Sequence, residues 1–159
     1  MPKQDHSALQ IEFAGASDVG LMRSNNEDAW WAGSMHETSA GWQDANVGLI
    51  DLKDGGWLGV CDGLGGANAG EVASRLAVTE THASLAAAER GRTSLGRAHE
   101  ALVNTNQAIN TAASKNMSWL GMGSTISFIW AEAEGAVLGQ VGDSRIYRLR
   151  DKRLKELSP

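Results

Sequence analysis

The order of hydrophobic and polar positions divides the chain into strands, a helical middle and further strands. Residues 10–19 have strand character, and so does the segment EDAWWAG, which begins at Glu27. Between Ser34 and Gly56 the chain contains Gly, Asp and Asn, which predicts a long loop or an irregular hairpin. The apolar run WLGVCDGLGG follows, and it predicts a buried strand that carries Asp62 to its end.

The middle of the chain predicts two helices joined by a short break. Residues 69–89 are rich in alanine and free of proline, with a helical stripe at Val72, Leu76, Ala83 and Ala87. After the break GRTS, where Thr93 or Ser94 can cap, a second helix is expected to continue to about residue 115. Its stripe comprises Ala98, Ala101, Leu102, Thr105, Ile109 and Ala112. So short a break predicts antiparallel helices.

After Gly123 the hydrophobic period changes to two. The segments STISFIWA, AVLGQVGD and RIYRLRD predict three consecutive strands, joined by short turns at 134–135 and 143–144. Earlier in the chain, Trp30 and Trp31 point to opposite faces if they lie in a strand, so one of them is expected to be exposed. Strands grouped apart from helices favour an α+β layered fold over an alternating parallel sheet.

Composition restricts the class of protein. The 159 residues suffice for one domain, and 42% hydrophobic with 21% charged residues is typical of a soluble globular chain. No apolar run is long enough to span a membrane, and the first residues lack a secretory pattern, so we expect no membrane partner and a cytoplasmic location. The single cysteine, Cys61, agrees with a reducing compartment. A net charge of −5 argues against nucleic acid as a partner.

Three places combine acidic residues with glycine or arginine where strands end: 23–28 (RSNNED), 62–66 (DGLGG) and 142–145 (GDSR). Carboxylates and free carbonyls at loop tips are the ligands that Mg²⁺ and Mn²⁺ prefer. Each motif alone is also typical of an ordinary turn, and an Asp-Gly pair is a turn about ten times as often as a ligand. The motifs taken singly therefore leave both interpretations open.

Four segments in order resemble the bacterial branch of the type 2C metal-dependent protein phosphatases, and they extend from about residue 17 to 158. They are SDVGLMRSNNEDAW, GVCDGLGGANAGEVAS, GMGSTIS and VGDSRIYRLRDKRLKELS. The resemblance implies a four-layer α-β-β-α sandwich of two antiparallel sheets flanked by helices. It also implies a dinuclear Mn²⁺ or Mg²⁺ site and phosphorylated proteins as substrates, with water hydrolysing phosphoserine and phosphothreonine.

The resemblance assigns most of the metal ligands to the first two motifs. Asp62 resembles the carboxylate that bridges both metals of the family. Glu27 and the main-chain carbonyl of Gly63 would complete the protein ligands of one metal. Asp28 would hold metal-bound waters.

The remaining assignments concern phosphate and a further cation. Arg23 resembles the residue that grips the substrate phosphate, which suits the planar guanidinium group. Asp143 resembles an acidic position linked to a further, weaker metal. Many eukaryotic members carry a histidine where this chain has Leu64, so leaving-group protonation by that position is excluded here.

The family domain continues beyond the last matching motif with two more metal-binding aspartates. We therefore interpret residues 1–9 as a tail and residues 10–159 as the N-terminal part of a phosphatase domain. An uncovered sheet face predicts self-association. The main alternative function is a non-catalytic fragment or pseudophosphatase that acts as a binding module.

Two other classes are weakened by single residues. The segment GGANAG has P-loop glycine spacing, but Glu71 and Val72 replace the required Lys and Ser/Thr. A cysteine-dependent phosphatase would need arginine six positions after Cys61, where the chain has Ala67. The adjacent Asp62 would also raise the thiol pKa rather than lower it.

Overall fold

The structure is a computed structural model that describes residues 9–36, 46–53, 55–65, 69–87 and 93–158. The predicted tail 1–9 therefore lies outside the described residues, apart from Leu9. In chain order the elements are β1 (Gln10–Gly15), β2 (Asp28–Ser34), β3 (Asn46–Asp51), β4 (Gly56–Leu64), α1 (Ala69–Ala87), α2 (Ser94–Lys115), a 3₁₀ helix (Met117–Trp119), β5 (Gly123–Ser124), β6 (Ile126–Glu132), β7 (Gly135–Val141), β8 (Tyr147–Arg150) and β9 (Arg153–Glu156).

The strands form a central antiparallel sheet and two separate ribbons. The central sheet has the order β2-β4-β6-β7, and β5 pairs with the end of β4. The ribbons are β1-β3 and β8-β9. Helices α1 and α2 pack on one face of the central sheet and the ribbons lie on the other. The α+β layered prediction is confirmed, with three of its four layers present in the described residues.

The face of the central sheet under the helices, here called the helix face, carries the main core. Strand alternation places Trp31, Trp57, Phe128 and Trp130 on this face, and each of them is buried. The predicted stripe of α2 is confirmed, since Ala98, Ala101, Thr105 and Ile109 are buried against this core. Thr93 caps α2, its Oγ1 accepting from the Gly96 N–H at 3.2 Å.

The predicted stripe of α1 is confirmed only in its first half, where Val72 and Leu76 pack against the core. Ala83 and Ala87 are exposed, and the two larger residues of that stripe are only half-buried. Small residues instead let α1 approach α2 and the sheet closely, and the hydroxyls of Thr81 and Thr105 are hydrogen-bonded at 2.9 Å. The buried positions are Ala69, Gly70, Ala73, Ser74, Ala77, Val78, Thr81 and Leu85.

The opposite face of the central sheet, here called the ribbon face, is only partly covered. It carries Trp30, Leu58 and Val60, which alternate with the residues of the helix face. Gly15 of β1 lies directly over Trp30, because a Cβ at Gly15 would stand 2.5 Å from that indole ring. The expectation that one of the paired tryptophans is exposed is therefore wrong: both Trp30 and Trp31 are buried, one on each face.

Three strand predictions also need correction. The first strand ends at Gly15 rather than at residue 19, and β3 lies inside the segment that was predicted to be a loop or hairpin. The last of the three predicted C-terminal strands, RIYRLRD, does not pair with β7. It forms β8, which pairs with an unpredicted strand, β9. The chain leaves the sheet where the carbonyl of Ser144 accepts from Ser127 Oγ at 2.6 Å and from Gln140 Nε2 at 3.0 Å.

Candidate active site

Two carboxylates face each other at one end of the ribbon face. Asp28 of β2 and Asp62 of β4 are direct partners in the antiparallel register, so their side chains lie on the same face. Together with Ser17 and Ser144 they line a cavity of about 200 Å³. The pKa of Asp28 is raised, first by partial burial of its carboxyl and then by the charge of Asp62 and a hydrogen bond with it.

The backbone of Asp62 is fixed by a residue that was not predicted to belong to the site. The Asp62 N–H donates to Thr125 Oγ1 at 3.0 Å, and the Thr125 N–H donates to the Asp62 carbonyl at 2.8 Å. The Thr125 hydroxyl also hydrogen-bonds the Ser144 hydroxyl at 2.8 Å. Thr125 lies in the quoted segment GMGSTIS, and its signal was a buried polar residue at the start of an apolar strand.

Glu27 and Gly63 are brought together by close backbone packing. The Gly63 N–H donates to the Glu27 carbonyl at 3.1 Å. A Cβ at Gly70 would lie 2.9 Å from both the Glu27 carboxyl carbon and the Gly63 carbonyl oxygen. The missing side chain at Gly70 therefore leaves the space in which this carboxylate and this carbonyl approach each other. Gly70 was not predicted to belong to the site, and its only signal in the sequence is a glycine at the start of a helix.

Arg23 lies on the loop between β1 and β2 and forms an ion pair with Glu27. The Arg23 side chain is 70% exposed and the Glu27 side chain 15%. The end of this loop is held by Asn26, whose amide donates to Ser17 Oγ at 2.9 Å while its Oδ1 accepts from the Asp28 N–H at 3.0 Å. The Arg23 guanidinium is thus held next to the acidic site by the Glu27 carboxylate.

Among the predicted site residues only Asp28 and Asp62 line the cavity, and Asp143 lies outside it. Asp143 is exposed, while its neighbour Ser144 lines the cavity with Asp28 and Asp62. Within the part of the chain that the structure describes, no group of three or more His, Cys, Asp or Glu side chains is placed to hold a metal ion. The site consists instead of a carboxylate pair and a neighbouring carboxylate–carbonyl pair.

The donor set nevertheless fits a hard divalent cation. Asp28, Asp62, Glu27 and the Gly63 carbonyl all offer oxygen, which Mg²⁺ and Mn²⁺ prefer. Two carboxylates that face each other repel unless a proton or a cation lies between them, and the pKa of Asp28 is raised by burial first and by the charge of Asp62 second. The residues present therefore fit a cation of this class.

The structure argues against Cys61 as the nucleophile of a cysteine-dependent phosphatase. Cys61 lies on the helix face, is 1% exposed, and burial raises the pKa of its thiol to about 12. The P-loop segment 65–70 falls partly outside the described residues. At the start of α1, Glu71 pairs with Arg75 at 2.5 Å, so a carboxylate and not a lysine occupies that helix turn.

No helix among the described residues is long and apolar enough to cross a membrane.

The family model described as protein phosphatase 2C matches residues 32–159. The chain is 33% identical over 150 residues to the serine/threonine protein phosphatase PstP of Mycobacterium tuberculosis, covering 94% of this chain and 25% of that protein. It is 33% identical to the serine/threonine phosphatase stp of Listeria welshimeri, covering 54% of that protein.

Solved structures agree with these similarities. A crystal structure of the Mycobacterium tuberculosis phosphatase PstP/Ppp matches with a TM-score of 0.70 and 31% identity, over 94% of this chain and 54% of that one. The catalytic domain of PstP in complex with two manganese ions matches with a TM-score of 0.68 and 32% identity, over 94% of this chain and 55% of that one. The chain thus spans about half the length of these phosphatase structures.

Proposed function

The chain belongs to the protein phosphatase 2C family, and we propose that it hydrolyses phosphoserine and phosphothreonine in proteins with Mn²⁺ or Mg²⁺ as cofactor. The observation that carries the proposal is the facing pair Asp28 and Asp62, which lies beside the Glu27 carboxylate and the Gly63 carbonyl. The relatives that support it are named serine/threonine phosphatases, and one of their structures contains two manganese ions.

Three groups of this chain would hold the cations directly, namely the carboxylates of Asp62 and Glu27 and the Gly63 carbonyl, and Asp28 would hold metal-bound waters. Bound divalent cations supply an acidified water and stabilise charge on the transferred phosphoryl group. Thr125 would keep Asp62 in place through its two backbone hydrogen bonds. Asp143, exposed and outside the cavity, is proposed to attract a further and weaker cation.

Arg23 would bind the substrate phosphate. Its planar guanidinium can donate two parallel hydrogen bonds to phosphate oxygens, and it lies exposed next to the acidic site. Binding phosphate requires Arg23 to exchange the Glu27 carboxylate for the substrate. Leu64 has no proton to give, so the leaving serine or threonine oxygen must take its proton from water.

The test is hydrolysis of a small phosphate ester by the purified 159-residue chain in the presence of Mn²⁺. We expect Asp62→Asn and a chelator each to lower kcat/KM by on the order of 100-fold or more. Glu134→Gln is the matched control, because this exposed turn carboxylate is remote from the site and its removal should leave the rate unchanged.

A folded chain without Mn²⁺-dependent activity would overturn the catalytic proposal and favour the alternative of a non-catalytic binding module. The observation in favour of that alternative is that the described residues hold no cluster of three metal-ligating side chains. A chain that binds a phosphopeptide without hydrolysing it would support this second function.

Self-association is part of the proposal, because the ribbon face is incompletely covered. Between the two ribbons a groove of about 390 Å³ exposes parts of Trp30, Leu58 and Val60. We propose that a second copy covers it, in a cytoplasmic setting that suits the single free thiol. Sedimentation velocity should show a concentration-dependent dimer, and a strictly monomeric chain would contradict this.

A further inference from the structure

The hairpin β8-β9 presents two chemically different faces. Its turn is Asp151-Lys152, with φ angles of 51° and 60°, which is the two-residue turn that matches strand twist. The register places Arg148 opposite Lys155 and Arg150 opposite Arg153, so these four cations share one face. We call this set the cation ladder. The other face carries Tyr147, Leu149 and Leu154.

The cation ladder has no anion of its own. All four side chains are exposed, and none of them forms an ion pair within the described residues. The two acidic residues of the hairpin lie elsewhere: Asp151 is in the turn, and Glu156, on the apolar face, lies 3.6 Å from Arg145. Like charges directly opposite each other destabilise a strand pair, so this arrangement is unfavourable until an anion binds.

The spacing of the ladder fits an extended acidic peptide. Alternate side chains of a strand are roughly 6.6 Å apart, and cross-strand Cβ atoms are about 5 Å apart. An extended peptide with carboxylates at every second residue repeats the same spacing. We propose that the cation ladder binds an extended acidic segment of a partner protein, with carboxylates that alternate along the chain.

The charge of the remaining chain favours a peptide over larger polyanions. Residues 145–156 contain six basic and two acidic residues, whereas the rest of the chain contains eight basic and 17 acidic residues. A molecule so acidic outside one narrow ribbon is repelled by extended anionic surfaces such as nucleic acid or an anionic bilayer. A single peptide strand needs only the width of the hairpin.

The ladder lies within reach of the candidate active site along the chain. Ser144, which lines the cavity with Asp28 and Asp62, precedes the start of β8 by three residues. An acidic segment bound at Arg148, where the ladder begins, would therefore lie four residues along the chain from a residue of that cavity. Binding by the ladder does not require hydrolysis, so it can be tested independently of the proposed phosphatase activity.

The test uses a fluorescent ten-residue peptide in which Asp and Ser alternate, measured by anisotropy at low and at physiological salt. We expect the double variant Arg148→Gln/Arg150→Gln to raise the Kd at least tenfold. The control Lys115→Gln/Lys152→Gln removes the same charge outside the ladder, and it should change the Kd less than twofold. Arg148→Lys/Arg150→Lys should retain most of the binding.

Three outcomes would overturn the proposal. Equal weakening in the ladder variant and in its charge-matched control would show that only net charge matters. Equally tight binding of a peptide with five consecutive Asp followed by five Ser would show that the ladder does not recognise carboxylates at every second residue. Tighter ladder-dependent binding of single-stranded DNA or phosphatidylserine vesicles would replace the peptide by another partner. Thermal melting checks folding of each variant, which these exposed positions should not disturb.

Discussion

The two faces of the central sheet are formed by the same strands but differ in how far their side chains are buried. On the helix face, Trp57, Phe128 and Trp130 are each no more than 1% exposed and lie beneath both helices. On the ribbon face, Val60 is 48% exposed, and Asp28 and Asp62 line an open cavity. Carboxylates are costly to bury without partners, so a fully covered face could not carry them. Stability is therefore concentrated on one face, and the facing carboxylate pair lies on the other.

A single step along β4 separates the two environments. Cys61 points to the helix face and is 1% exposed, while the next residue, Asp62, points to the ribbon face and is exposed. Pairing with β2 in the observed register brings Asp28 beside Asp62. A slip of β2 by one residue would turn Asp28 towards the core and away from Asp62, so the large residues of the helix face also fix the site geometry.

The largest predicted effect compares the helix face with the β1-β3 ribbon. Trp57→Ala should lower the free energy of unfolding by about 3–5 kcal/mol, because it removes a fully buried ring and its hydrogen bond to His82 Nδ1 at 3.0 Å. Leu49→Ala on β3, where the side chain is 64% exposed, should change it by less than about 0.5 kcal/mol. Urea denaturation followed by circular dichroism measures both.

The Leu49 result also tests self-association through the outer surface of the β1-β3 ribbon, which lies outside the groove between the ribbons. If Leu49→Ala destabilises the chain strongly at high protein concentration but not at low concentration, the residue is covered by a second copy. A large loss that is independent of concentration would contradict the exposed position of Leu49 on β3. Trp57→Phe should recover part of the loss caused by Trp57→Ala, because it refills part of the cavity.

A second prediction concerns the space that Gly70 leaves between Glu27 and Gly63. In Gly70→Ala the new methyl would stand 2.9 Å from the Glu27 carboxyl carbon and the Gly63 carbonyl oxygen, so one of them must move. The cost of such overpacking is about 1–3 kcal/mol, which outweighs the roughly 1 kcal/mol that alanine gains over glycine in a helix. We also expect Mn²⁺ to raise the Tm of the natural chain, and we expect this rise to be lost in Gly70→Ala.

Gly123→Ala is the control for this substitution. No atom lies within 4 Å of a Cβ at Gly123, although its strand β5 pairs with the end of β4 next to the site. Differential scanning fluorimetry with and without Mn²⁺ compares the two variants. A normal Mn²⁺ response in Gly70→Ala would show that Glu27 and Gly63 do not hold the cation together.

The sequence predicted most elements and the acidic motifs, but not how the segments meet. Local patterns identify the strand that ends near Asp62, yet the pairing of Asp28 with Asp62 depends on a register between segments 34 residues apart. The departure of β8 from the sheet depends on side-chain bonds to the Ser144 carbonyl, which leave no periodic signal. The part played by Thr125 depends on the same kind of non-local contact.

A third prediction concerns the pH dependence of the ribbon face. The pKa of Asp28 is raised from its ordinary value of 3.8, mainly by burial and by Asp62. The folded state therefore keeps a proton that the unfolded state releases, and stability falls as the pH rises from about 3.8 through the raised pKa. Asp28→Asn avoids this loss, so its Tm relative to the natural chain should rise by on the order of 2 °C between pH 3.5 and 7.

The measurement is made with a chelator, so that no divalent cation occupies the acidic pair. Asp143→Asn serves as the control for the general effect of removing one carboxyl, because Asp143 lies outside the cavity. A Tm difference for Asp28→Asn that stays constant with pH would show that the two facing carboxylates do not interact.

The smallest effect is expected at Cys61, and it sharpens the comparison because the thiol lies one residue from the site but on the opposite face. Burial raises its pKa to about 12, so the reactive thiolate is scarce at pH 8 and is also inaccessible. We expect negligible alkylation by iodoacetamide in the folded chain and complete alkylation in urea, followed by mass spectrometry. In Trp57→Ala the rate should increase, because opening of the helix face then exposes the thiol more often. Rapid labelling of the folded natural chain would show that the helix face is open next to Asp62. The difference in burial between the two faces would then not extend to this end of the sheet.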